Sequence, residues 1–170
     1  MKSLLRCCCA LLIAWLLCGA AKPAPDEAKA LFEKISKVGR SLQFAIDHKH
    51  YSESLSDLNA AVAAFCAKYP ETPAKGKITQ VMAAYRDVEQ LLNEALNAME
   101  HGEDALVKDS RPYQTLAGRY FGLFERLAGQ SQRNPANGRI YYFKIDVARE
   151  INNSCAVKYQ NELRQILGLL

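Results

Sequence analysis

Cys66 and Cys155 are the side chains of this sequence with the widest choice of covalent chemistry, once four other cysteines are set aside. Cys7, Cys8, Cys9 and Cys18 fall in an amino-terminal segment, residues 1–21, that reads as a cleaved secretory signal. Lys2 and Arg6 precede a continuous apolar run from Cys7 to Leu17, and Gly19, Ala20 and Ala21 supply small residues for cleavage near Ala20 or Ala21. The run is shorter than the roughly 20 residues of a membrane span. The alternative fate is a lipid anchor on Cys18, but Leu17 stands where such a signal wants a small residue. An exported chain meets oxidising conditions, so a disulfide between Cys66 and Cys155 is expected. It would close a loop of about 90 residues and stabilise the fold by up to roughly 4.5 kcal/mol in the chain-entropy account. The plainer alternative is two free thiols packed as small apolar groups. With no C-x-x-C pair, thiol redox catalysis is not indicated.

The other reactive residue types are sparse. Covalent haem would need C-x-x-C-H, which does not occur, and non-covalent haem would need an inward histidine with a second axial ligand. Met82 and Met99 can face a core, but His48 and His50 fall in a polar turn and His101 at a helix end; these read as core methionines and surface histidines. Asp47, His48 and His50 crowd one turn, and Asp146 and Glu150 are one helical turn apart. A carboxylate-bridged bundle site, however, uses Glu-x-x-His, which is missing, and Asp146 and Glu150 alternate with Lys144 and Arg149 as a solvated face would. Neither G-x-S-x-G nor H-E-x-x-H occurs. No cofactor, metal site or catalytic residue is assigned, and an enzyme is not expected.

Aromatic and basic residues interleave in the second half: Arg111, Tyr113, Arg119, Tyr120, Phe121, Arg126, Arg139, Tyr141, Tyr142 and Phe143. Tyrosine and arginine bring large contact area with a polar tip, which suits binding. Arg119, Tyr120, Arg139, Tyr141 and Tyr142 are therefore the candidate binding residues. The plain reading is that the tyrosines close bundle ends while the arginines solvate outer faces. Gly118, Gly122 and Gly129 fall nearly in line on one helix, and the line from Gly118 to Gly122, with Tyr141 and Tyr142, would border a groove for a partner helix or an anionic ligand.

The elements that must position these residues are helices. From Ile78 to Met99 apolar residues recur at Ile78, Val81, Tyr85, Val88, Leu92, Ala95 and Met99, a stripe on one helical face that other helices must cover. A first helix from about Pro25 carries Ala28, Leu31, Ile35, Val38, Leu42 and Ala45, with Asp26 and Glu27 in its first turn and a weak point at Gly39, costing roughly 1 kcal/mol against alanine. A second, from about Ser52 to Tyr69, carries Leu55, Leu58, Val62 and Phe65 and is stopped by Pro70 and Pro73. Residues 103–110 read as loop or a short turn. Ser110 and Pro112 start a further helix with a wide apolar surface through Ala128. After the strong turn Asn134–Gly138, residues 140–147 suit a strand by composition. Helix is preferred, because helical spacing continues from Ile145 to Ile166 and a single strand would have no partner.

The expectation is an all-α, antiparallel four- to five-helix bundle forming one domain over residues 22–170. Loss of Lys2 and Arg6 lowers the net charge from +4 to +2, with no concentrated basic footprint, so nucleic-acid binding is not indicated. The expected function is an exported, periplasmic binding protein acting on another envelope protein as inhibitor, immunity or accessory factor. The alternative is a bundle carrying haem, a metal or a small molecule.

Overall fold

The computed structural model describes residues 23–44, 48–99 and 104–169. The signal segment with Cys18, and Asp47 and His101, lie outside the described residues, as does the side chain of Met99. Three helices follow in order, α1 Pro25–Phe44, α2 His48–Lys68 and α3 Lys75–Met99. The chain closes with a continuous helical run over 144–166, made of α6 Lys144–Glu150, a π-helical segment Ile151–Ala156 and α7 Val157–Ile166. α1 packs on α2, α2 on α3, α3 on the closing run, and the closing run back on α1. The four therefore form a ring in which α2 and the closing run are diagonal partners.

Most residues of the stripes anticipated for these helices are buried; Val62 and Ala95 are half-buried, Ile166 is exposed, and Ala45 lies outside the described residues. Ala28, Leu31, Ile35, Val38 and Leu42 of α1 and Ile78, Val81, Tyr85, Val88 and Leu92 of α3 are all in the core. α3 also buries Met82, Ala84 and Leu91, because it is covered on more than one side. In the closing run the π-helical turn carries Ile151, Asn152, Cys155 and Ala156, all buried.

A polar seam crosses this core. The Tyr51 hydroxyl donates to the carbonyl of Tyr85 at 3.1 Å, and the Tyr85 hydroxyl donates to the carbonyl of Ile35 at 2.8 Å. Gln160 Nε2 donates to the Tyr85 hydroxyl at 2.6 Å, so one chain of bonds joins all four helices. Burial pushes the hydroxyl pKa of both tyrosines upward.

The fold is mostly helical but not all-α. Between α3 and α6 the chain forms β1 Ala105–Val107, α4 Arg111–Arg119, α5 Leu123–Arg126, a 3-10 turn Ala128–Gln130, β2 Gln132–Arg133 and β3 Ile140–Phe143. The three strands make an antiparallel sheet in the order β1-β3-β2, with Leu106 opposite Tyr142 and Arg133 opposite Ile140. The helix expected over 140–147 is thus half strand, and its β-branched and aromatic composition is obeyed up to Phe143. It has two partners, one in a segment read as loop and one in Gln132–Arg133, a dipeptide without strand character.

The single helix expected from Ser110 through Ala128 is also divided. Ser110 caps it, its side chain accepting from Tyr113 N, but the helix ends at Arg119 and Gly122 takes φ +71°, a left-handed conformation that glycine adopts without strain. The glycine line does not form a groove. A Cβ at Gly118 or Gly129 would meet nothing within 4 Å, and Gly122 serves the turn.

Candidate binding surface

The sheet has two unlike faces, as its two-residue period requires. Leu106 and Tyr142 point to the core, where Tyr142 lies 4.9 Å from the Phe124 ring and 5.8 Å from the Tyr113 ring, with Tyr113 and Phe124 stacked at 3.9 Å. Burial raises the pKa of Tyr113 and Tyr142. On the other face Ala105, Val107, Tyr141 and Phe143 line an open cleft of about 660 Å³ whose rim carries Asp104, Gln132, Arg133, Asn134 and Lys144. The β2–β3 loop bordering it is tied by its own polar groups. Asn134 N donates to Arg139 O, Asn134 Oδ1 accepts from Ala136 N, and Asn137 Oδ1 accepts from Arg139 N. Lys144 reaches Glu94 of α3 at 3.3 Å.

A second feature is the turn between α4 and α5. Arg119 forms an ion pair with Asp87 of α3, and the buried Tyr120 donates its hydroxyl to Asp87 Oδ2 at 2.6 Å. Burial, and then the Asp87 carboxylate, push the Tyr120 pKa up. On the far side of the turn Arg126 Nη1 donates to Phe121 O at 3.2 Å, while its Nε meets Glu150 Oε1 at 2.5 Å. Between these two clamps the Phe121 side chain is 97% exposed.

The structure does not bring the five candidate binding residues together. Arg119 and Tyr120 converge on Asp87, Tyr142 is in the core, Arg139 stands exposed in the β2–β3 loop, and Tyr141 lies on the open cleft. Phe121 and Phe143 appear in the aromatic run, but nothing local distinguishes them from core residues. Asp87, Ala105 and Val107 carry no signal in one sequence, since their roles are made by contacts distant along the chain.

The expected Cys66–Cys155 disulfide is not formed, and both residues are free thiols. Cys66 is on α2 and Cys155 on the closing run, the diagonal pair of the bundle, with α1 and α3 as the side-by-side neighbours of each. Cys155 is buried beside Arg126, whose Nη2 lies 3.7 Å from its sulfur, and burial raises its pKa against the pull of that cation. His48 shares a contact of 3.4 Å with Ser52, and Asp146 pairs with Arg149 at 3.5 Å. Among the described residues no helix is long and apolar enough to cross a membrane. No protein-family model, curated protein or solved structure matches the chain.

Proposed function

We propose that this is an exported binding protein that docks on another envelope protein, in the manner of an inhibitor, immunity or accessory factor, with Phe121 as an anchor. The carrying observation is the exposure of Phe121 on a turn whose backbone is held from both sides. Burying such a ring yields roughly 1.5–3 kcal/mol. The fold leaves that gain unused. A ring presented on a fixed backbone also loses little conformational freedom on docking, which is how preorganised anchors gain affinity. Partner chemistry follows from the ring itself: an apolar pocket deep enough to enclose a phenyl group. Export is supported by the basic, apolar and small-residue succession of residues 1–21.

The test compares wild-type protein and Phe121→Ala as baits against envelope extract, with bound proteins quantified. A partner held by the wild type should fall at least tenfold on the variant, as for a central aromatic anchor, while the unfolding midpoint stays unchanged because the ring buries nothing. Equal retention of every partner by the two proteins would refute the reading.

A further inference from the structure

The strand register sorts the residues bordering the open cleft by face. Gln132 and Val107 both stand opposite Tyr141, and Ala105 stands opposite Phe143, so these five side chains leave the sheet on one side. Arg133 is opposite Ile140, and Lys144 N donates to Asp104 O at 2.9 Å, which continues the pairing one step beyond Ala105. Arg133 and Asp104 therefore hold the alternate positions, and their side chains leave on the other side. Lys144 is ion-paired with Glu94 at 3.3 Å. On the cleft side of the strands, among the described residues, every side chain is uncharged. Charge complementarity then selects an uncharged ligand, since an ion would give up its water there for no counter-charge.

On that side apolar area and polar groups are segregated. Tyr141 and Phe143 are half-buried at alternate positions of β3, roughly 7 Å apart, and with Val107 and Ala105 they make an apolar floor. The polar groups stand at its margin. Gln132 is exposed, and neither its amide nor the Tyr141 hydroxyl has a hydrogen-bond partner among the described residues. Asn134 commits Oδ1 to Ala136 N, which leaves Nδ2 to donate. A ligand built to match has broad C–H faces ringed by hydroxyls, which is the build of a sugar ring. A bare hydrocarbon would strip water from the marginal amides without replacing it, and a peptide laid on the floor would do the same to its own N–H and C=O groups. The volume, about 660 Å³, is that of a small-ligand site.

We propose that this face binds a neutral oligosaccharide, its rings stacked on Tyr141 and Phe143 and its hydroxyls bonded to Gln132, Asn134 and the Tyr141 hydroxyl. The site is separate from the Phe121 turn and does not rest on that reading, so Phe121→Ala should leave sugar affinity unchanged. The probes are cellotetraose and chitotetraose, neutral extended chains without and with acetamido groups, titrated calorimetrically into protein spanning residues 22–170. One saturable site is expected for at least one of them, with the same affinity at low and high salt because no ion pair forms. Tyr141→Ala should weaken binding roughly tenfold, the scale of one lost aromatic contact. Tyr141→Phe keeps the ring and loses one neutral hydrogen bond, so it should weaken binding only roughly threefold. Gln132→Ala should do the same, at an exposed position that supports no other contact, so this variant folds even where Tyr141→Ala does not. Unfolding midpoints of the variants are read alongside. Absence of saturable binding of both sugars at millimolar concentration overturns the proposal. Sugar binding that survives Tyr141→Ala and Gln132→Ala undiminished, or that fades as salt is raised, overturns it equally.

Discussion

Asn152 Nδ2 donates to the main-chain carbonyl of Gly39 at 3.0 Å, across the contact between the π segment and α1. That approach depends on glycine. A Cβ at position 39 would lie 2.7 Å from Gln160 Nε2 and 2.9 Å from the Tyr85 hydroxyl oxygen. Tyr85 has little room to yield, because its hydroxyl is fixed to Ile35 O on one side and to Gln160 on the other. By helix propensity alone Gly39 is a defect costing about 1 kcal/mol; overpacking costs about 1–3 kcal/mol. Gly39→Ala is therefore expected to destabilise by up to about 2 kcal/mol net, read as a lower urea midpoint at unchanged slope. A raised midpoint would show that Gln160 swings clear and that propensity wins.

The buried tyrosines set an alkaline limit to stability. Tyr51 and Tyr85 are pushed above the ordinary value near 10 by burial, and Tyr120 by burial and by Asp87. A folded-state pKa raised above the unfolded one means that the folded protein holds its protons longer. Stability is then fully present below about pH 10 and falls as pH rises beyond it. In an alkaline titration the tyrosinate absorbance of these three residues should appear together with loss of helical circular dichroism. A hydroxyl step complete for all eight tyrosines before any helix is lost would contradict this.

Asp87 serves two partners of unequal worth. Arg119 is about half exposed, and exposed pairs contribute roughly 0–1 kcal/mol. Tyr120 is buried, and its hydroxyl is left without an acceptor once the carboxylate is gone. Arg119→Ala should cost under about 1 kcal/mol and Asp87→Ala about 2–3 kcal/mol. The same Asp87→Ala change made in a Tyr120→Phe background should shrink toward the Arg119→Ala value. Chemical denaturation of the four proteins completes the cycle, and equal costs for Asp87→Ala in both backgrounds would remove Tyr120 from the account.

How much of this was legible in the sequence depends on where each signal resides. The stripes of α1, α3 and the closing run are periodic and local, and most of their residues are buried as read, although Ala95, Ile145 and Tyr159 are only half-buried and Ile166, near the end of the run, is exposed. The sheet was hidden because its pairing is not local: β3 has strand composition, but β1 is three residues long and β2 two, too short for periodicity to register. The break at Gly122 was available in principle, since glycine marks turns, yet the apolar spacing on either side continues through it. Among the candidate binding residues the types were informative but the directions were not. Adjacent residues on a strand face opposite ways, so Tyr141 and Tyr142 cannot share a surface once residue 140 begins a strand.

The two thiols offer the last test, because access and ionisation pull Cys155 in opposite directions when its neighbour is removed. In protein spanning residues 22–170, handled without reductant, two free thiols should titrate after unfolding. In the native state half-buried Cys66 should react with an aromatic disulfide reagent well before Cys155, which is buried and held protonated by that burial. Arg126 lies over the Cys155 sulfur and is itself anchored by Glu150, whose Oε1 also accepts from Ser154 Oγ at 2.5 Å. Arg126→Ala removes a cation that favours the thiolate, which by itself slows the reaction. It also opens the path to the sulfur. Since burial is the larger influence on this thiol, access should prevail and Cys155 labelling should accelerate in the variant at unchanged pH. Slower labelling would mean that the charge of Arg126, not its bulk, governs the site.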